Sequence, residues 1–513
     1  MELCALGLEE MAGRLARREL SSAELVEAHL QRIAARDPAL KAFAHRFTDV
    51  ARAEAAAADR ARAQGDCRPL LGLPLSVKES LETVGLASTL GVSARRSVIA
   101  ERDAVVVQVA REQGAVFLGK TNVSQLLLFH ESDNPLFGRT LNPWDPARVP
   151  GGSSGGEAAA IAAGLSPGGI GTDIGGSIRV PAAFTGIAGL KPTNDRWSNV
   201  GAVGALAGQE IIRGQTGPLA RSARDLAFLF RCLSSERQAE LDPAVPPLPL
   251  READLAGLTV GVYESDGWLE PAASVKRAVR EAADHLRAAG VRVIPYAPPE
   301  VSRIVDTYFG ALSSDGGVTV DRVLAGERAV AQLQGLRRLA GLPALARASL
   351  AMLMGLRGEL RTKQLIDAVR EKPVAELWRL AAERTKLRNL SASAMQAAGV
   401  DALLCPAHAT PAIRHGDSAD FALGGLPSML YNFLNFPAGV VPVSRVQAGE
   451  GERVLRADRL DRRAAAVEQG SEGLPLAVQI VARPWQEERV LALLIAIEDG
   501  ARKSPEFPQT PVA

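Results

Sequence analysis

A net charge of +1, from 59 Lys and Arg against 58 Asp and Glu, is spread over 513 residues that are 47% hydrophobic, enough for a large buried core. The balance excludes the basic field that nucleic-acid binding needs, and no uninterrupted apolar stretch reaches the ~20 residues that span a bilayer. The four cysteines, Cys4, Cys67, Cys232 and Cys405, and the six histidines form no metal-ligand spacing, so neither metal nor cofactor is expected, and sparse thiols fit a reducing, cytoplasmic setting.

No basic run leads into a long apolar segment at the N-terminus, so a signal peptide is not expected. Ser21 and Glu24 have capping-box spacing. Val26, Leu30 and Ile33 follow on one helical face, and Asp37-Pro38 predicts the end of that helix. An Ala-rich helix is predicted over about 48–64. Residues 70–79 read as a short buried strand closing on Lys78, a residue type that strand ends usually leave in solvent. A helix from 103, a strand at 116–118 and an apolar core segment at 126–129 come next.

Residues 151–191 are the most informative stretch, GGSSGGEAAAIAAGLSPGGIGTDIGGSIRVPAAFTGIAGLK. A glycine-rich run such as 171–177 can turn several successive N–H groups toward one point, a nest suited to an anion or an oxyanion. Ser177 closes that run, where a nucleophile would stand. A phosphate loop fails because no Lys follows the glycines, and a dinucleotide fingerprint started at Gly169 fails at Ile174. Gly151-x-Ser153-x-Gly155 matches a nucleophile elbow, but Asn142-Pro143-Trp144-Asp145-Pro146 and Pro150 make a loop where that elbow needs a strand. An α/β-hydrolase-type esterase, with Ser153 as nucleophile and an essential histidine, therefore stays open as a rival.

Ser222-x-x-Asp225 opens a further capped helix, and 234–256, rich in Pro and charge, reads as a surface excursion. Strands at 258–263 and 291–294 around a helix at 274–289 give a βαβ rhythm, which argues an α/β fold with helices on both faces of a largely parallel sheet. Residues 301–398 are largely helical and read as an insertion. Strands at 401–406 and 474–481 and a helix at 486–498 complete the pattern, with a charged, solvated excursion at 446–472. The uniform composition argues one domain over 1–513.

The motifs GGSSGG at 151–156, GTDIGGSIR at 171–179, and Pro181 with GLKPT at 189–193 resemble those of the amidase signature hydrolases. The segment 72–78, GLPLSVK, is similar to the G-x-P-x-x-x-K segment of that family. The chain is most similar to the fatty acid amide hydrolase branch, through 132–138, 142–144, 429–432, 435–443 and 484–488. The resemblance implies the amidase signature fold, one large twisted, mixed, mostly parallel sheet. It also implies a serine amidohydrolase that cleaves a fatty acyl or other apolar acyl amide to acid and amine.

Ser177 is then the nucleophile, Ser153 the bridge on a cis peptide bond, and Lys78 the base. The N–H groups of Ile174, Gly175, Gly176 and Ser177 form the oxyanion hole. Ser154, Asp173 and Arg179 support the loop, and Leu127 and Leu128 line an acyl pocket. The resemblance also places 342–356, LPALARASLAMLMGL, in a cap that admits lipid-like substrates beside a membrane surface; a buried core helix or a homodimer contact is the alternative. The amidase component of a tRNA-dependent amidotransferase shares the same three catalytic residues and is the other rival, one that needs a partner chain.

Overall fold

Apolar runs such as Pro475–Ala482 and Ala438–Arg445 form strands of this computed structural model, which describes residues 3–251, 253–454 and 457–512. Thirteen strands occur among the described residues: β1 (Phe43–Arg46), β2 (Pro74–Lys78), β3 (Val116–Thr121), β4 (Asp133–Asn134), β5 (Gly138–Arg139), β6 (Gly168–Asp173), β7 (Ala188–Lys191), β8 (Gln215–Ala220), β9 (Thr259–Val262), β10 (Arg292–Pro295), β11 (Ala402–Pro406), β12 (Ala438–Arg445) and β13 (Pro475–Ala482). β4 and β5 form a small ribbon, and the other eleven form one sheet in the order β1-β3-β2-β6-β8-β7-β12-β13-β11-β9-β10.

The expected large mixed sheet is present. Its parallel pairings form two blocks, β3-β2-β6 and β11-β9-β10. The centre, β6-β8-β7-β12-β13-β11, is antiparallel throughout, as is β1 on β3. The βαβ rhythm of the sequence thus holds in the blocks, while the centre joins strands from distant parts of the chain.

Helices cover both faces, as two glycines offset by one residue in register show. Gly439 and Gly189 lie on neighbouring strands, with Gly189 opposite Val440. A Cβ at Gly439 would strike Leu494 and Val490 of the helix Glu487–Ala501, and one at Gly189 would strike Ile178 and Ala182 beside the helix Arg179–Thr185. Successive strand residues point to opposite faces, so those two helices sandwich the sheet. The largest core cluster takes residues from Leu6 to Phe507.

Two local expectations are corrected. The helix Ser22–Leu40 runs through Pro38 instead of stopping there. Pro38 gives up the bond to the carbonyl four residues back and crowds that carbonyl, but it does so in the last turn, where the Asp37 carboxylate secures the exit by accepting from the Ala42 and Phe43 amides at 2.7 and 3.1 Å. The charged segment 446–472 is not wholly solvated, because the helix Arg459–Glu468 buries Leu460, Ala464 and Val467 while its arginines stay outward. The expected helical region holds six helices between Val301 and Ala397.

Candidate active site

Lys78 ends β2, whose five residues are all buried. Register explains what it meets: Ser76 pairs with Gly169 and Val77 with Ile170, so Lys78 arrives beside Thr172 at the end of β6. Its Nζ lies 2.7 Å from Ser153 Oγ, 2.8 Å from Thr172 Oγ1 and 3.2 Å from the Thr172 carbonyl. Burial pushes the ammonium down to about 7, against the raising influence of Asp173, Glu157 and Glu79. Strand-end lysines are ordinarily solvated; this one is sealed because β3 and β6 flank it on both sides.

Glu157 is a second buried titratable group of this region. Ser76 Oγ and Thr121 Oγ1 donate to its carboxylate, the latter at 2.6 Å. Burial pushes Glu157 up to about 7, partly offset by those two hydroxyls and by Lys78.

The first Gly-Ser cluster is a tight loop before the helix Gly155–Ala162, and its Gly152–Ser153 peptide is cis. Gly152 has no room for a side chain, since a Cβ would come 2.6 Å from Ser124 Oγ and 2.7 Å from the Phe129 carbonyl. The second cluster links β6 to the helix Arg179–Thr185. Gly176 takes φ of +100°, a conformation that favours glycine. The Ser154 amide donates to the Ser177 carbonyl at 3.2 Å and ties the two loops together, and Ser154 Oγ donates to the Thr172 carbonyl at 3.3 Å.

Asp173 and Arg179 form the buried scaffold of the second loop. Both side chains are fully shielded from solvent, and Arg179 Nε and Nη2 each donate to the Asp173 carboxylate at 3.0 Å. Arg179 also donates to the Ser428 carbonyl and to Gln479 and Asn432. Burial alone would raise the Asp173 carboxyl, but Arg179 and Asn432 outweigh it and hold it below the usual carboxylate range.

The Asp173 carboxylate accepts from the Gly176 amide at 2.7 Å and from the Ile178 amide at 3.1 Å. The expectation that Gly176 donates to an oxyanion is therefore corrected: its N–H is engaged by Asp173. The amides of Ile174, Gly175 and Ser177 have no hydrogen-bond partner among the described residues.

Two cavities share Ser177, Ile174, Leu127 and Leu128 in their walls. The larger, about 490 Å³, is walled by Phe309, Leu312, Leu333 and Leu336. The smaller, about 290 Å³, is more polar, with Ser153, Thr172, Gln209, Glu210 and Arg213. Among the described residues no histidine hydrogen-bonds to either serine; His130, the nearest in the loop network, has Nε2 3.1 Å from the Gly175 carbonyl.

These motifs are matched over most of the chain, since the amidase family's sequence profile fits residues 24–491. The chain belongs to the amidase family. Fatty-acid amide hydrolase 1 of Sus scrofa is 40% identical to this amidase over 440 residues, covering 84% of this chain and 75% of the relative. A glutamyl-tRNA(Gln) amidotransferase subunit of Ralstonia nicotianae is 32% identical over 521 residues, covering 97% and 98%. A solved structure of a fatty acid amide hydrolase superposes with a TM-score of 0.84 at 26% identity, over 99% of this chain and 86% of the other. The protein is thus an amide-hydrolysing enzyme related to the fatty acid amide hydrolases.

Some participants carried no signal of their own in the sequence. Thr172 sits inside the glycine motif, but its role as a lysine partner depends on the β2–β6 register. Asn432 and Tyr308 reach the loop from 259 and 134 residues away. Among the described residues no single helix is long and apolar enough to cross a membrane, although the helices Ala331–Ala340 and Ala344–Leu356, bent by 110°, pass that test as a pair.

Proposed function

We propose that this amidase cleaves amides of apolar, fatty-acyl-like acids through an acyl-enzyme on Ser177, with Ser153 and Lys78 relaying the proton. The observation that carries the reading is the 2.7 Å contact between Lys78 Nζ and Ser153 Oγ in a fully buried setting. A neutral amine has two N–H groups and one lone pair. The two acceptors of Thr172 take the N–H groups, so the lone pair faces the Ser153 hydroxyl. Ser177 Oγ gives its proton to Ser153 Oγ as the Ser153 proton moves to Lys78.

The new bond from Ser177 Oγ to the carbonyl carbon pushes the π electrons onto oxygen, where the amides of Ile174, Gly175 and Ser177 are the donors. Collapse breaks the C–N bond, and the same relay run backward protonates the departing nitrogen. Water then attacks the acyl ester by the same route and releases the acid.

The acyl group is assigned from the larger cavity, where Leu127, Leu128, Phe129, Leu206, Phe309 and Leu312 give an apolar wall near Ser177, and Asp315, Asp321, Arg337 and Arg338 add charge to the lining. Segment 342–356 supports a lipid-like substrate. The helix Ala344–Leu356 exposes Leu345 by 85%, Met352 by 65% and Leu356 by 77%, and Gly341 just before it lies in the cavity wall. An apolar helix with Arg347 in its first turn and Arg357 at its end suits the interface of a membrane.

The test is turnover of acyl amides of graded chain length by the purified chain, with no partner, tRNA or ATP. Rates that rise with chain length support the reading. Activity only with a partner chain and aminoacyl-tRNA would instead assign the amidotransferase role of the second group of relatives.

A further inference from the structure

Every carbonyl from Asp173 to Gly176 has a fixed partner. Asn432 Nδ2 donates to the Asp173 carbonyl at 3.0 Å, the Tyr308 hydroxyl to Ile174 at 3.1 Å, and the Val180 amide to Gly176 at 2.7 Å. His130 holds the carbonyl of Gly175. These peptides are trans. A trans peptide is planar, with its C=O and N–H pointing opposite ways, so each anchored carbonyl aims the next residue's N–H in the other direction. One N–H so aimed, that of Gly176, ends on Asp173. The remaining three, on Ile174, Gly175 and Ser177, belong to residues that wall the larger cavity.

Two of these three free amides are set by groups built into the site itself. Asn432 is locked to Asp173 and Arg179, and Val180 lies in the same turn. The Gly175 amide depends on a side chain whose hydroxyl makes no other hydrogen bond among the described residues. Tyr308 comes from the helix Val301–Leu312, at the start of the helical region, and is buried. A Cβ at Gly175 would come 2.5 Å from the Tyr308 hydroxyl, so the phenol occupies the space where a side chain would be. Flanked by a glycine, the Ile174–Gly175 peptide has little intrinsic resistance to turning over.

We propose that Tyr308 is a positioning residue whose hydroxyl holds the Ile174–Gly175 peptide with its N–H toward the oxyanion, making one donor of that hole conditional on the docking of the helix Val301–Leu312. The inference rests on the Ser177 acyl-enzyme reading. Burial, with Asp173 nearby, pushes the phenol upward, so it remains a donor across the working pH range.

Tyr308→Phe removes the hydroxyl alone. The experiment measures kcat and KM for decanoyl p-nitroanilide, the inhibition constant of the matching alkyl trifluoromethyl ketone, whose serine adduct carries the oxyanion, and the melting temperature. Outright loss of an oxyanion donor costs 10²–10³ in kcat. A peptide left free to turn over should cost about 10-fold or more in kcat, with KM within about threefold, an unmoved pH profile and an unchanged melting temperature. Affinity for the ketone should fall by the same factor as kcat/KM. Gly175→Ala, which displaces the hydroxyl from the other side, should reproduce the effect.

Unchanged kcat, a loss confined to KM, or ketone affinity that stays at the wild-type value while turnover falls would each overturn the role of Tyr308. Wild-type protein without Ser177-dependent turnover would overturn the underlying reading as well.

Discussion

The lysine base makes a quantitative prediction about pH. Lys78 must be neutral to accept a proton, and burial brings it down to about 7. The folded-state value is depressed, so the reactive form gains with rising pH: about half at pH 7, about one tenth at pH 6 and about one hundredth at pH 5, while above pH 8 it is nearly complete. The quantity kcat/KM reports the free enzyme. With a substrate that does not itself ionise, it should rise about tenfold from pH 6 to pH 8 and then level off.

Lys78→Ala should lower the plateau by about 10²–10⁴, the usual contribution of a positioned acid–base group, and should remove the inflexion. Glu157, which burial also brings to about 7, could produce a similar inflexion, and Glu157→Gln separates the two. Its carboxylate raises Lys78, so its removal should move the inflexion to lower pH without abolishing it. A wild-type profile flat through pH 7, or an inflexion that survives in Lys78→Ala and vanishes in Glu157→Gln, would refute the lysine as base.

Asp173→Asn leaves Arg179 buried without its counter-charge and should cost about 3–5 kcal/mol of stability, read from denaturant unfolding at pH 7. Because the Asp173 carboxyl is held low, that stabilisation is complete above the ordinary carboxylate pKa of about 4 and is lost as pH falls through the lower folded-state value. The double change Leu345→Glu, Leu356→Glu, on side chains mostly in solvent, should leave melting and short-amide turnover intact while weakening liposome flotation and long-chain turnover; unfolding would assign the segment to the core. Leu128→Trp, in the wall shared by both cavities, should shift preference toward shorter acyl chains, measured as kcat/KM across the series.

How much of this was legible depends on whether the cause was local. The capping box at Ser21 and Glu24 and the cap at Ser222 are short-range hydrogen bonds, and both form as their spacing predicts. The glycine nest is also local, so the loop 174–177 and its serine could be read from residue types. Lys78 could not be read this way, because its burial is produced by β3 and β6, which are remote in sequence.

The engagement of Gly176 by Asp173 lies in the folding of the loop back on its own carboxylate, and no pattern of residue types announces which of four amides is spent. Tyr308 and Asn432 illustrate the same limit, being long-range partners of backbone carbonyls. The antiparallel centre of the sheet escaped for a related reason: alternation and spacing report strands, whereas the partner of each strand is decided by packing across the whole chain.

In the proposed route Ser177 forms the covalent intermediate. A fluorophosphonate probe followed by peptide mass spectrometry tests it most directly. One adduct is expected, on the peptide that carries Ser177, absent from Ser177→Ala and formed more slowly in Ser153→Ala and Lys78→Ala. An adduct on Ser153, or labelling that persists in Ser177→Ala, would contradict it.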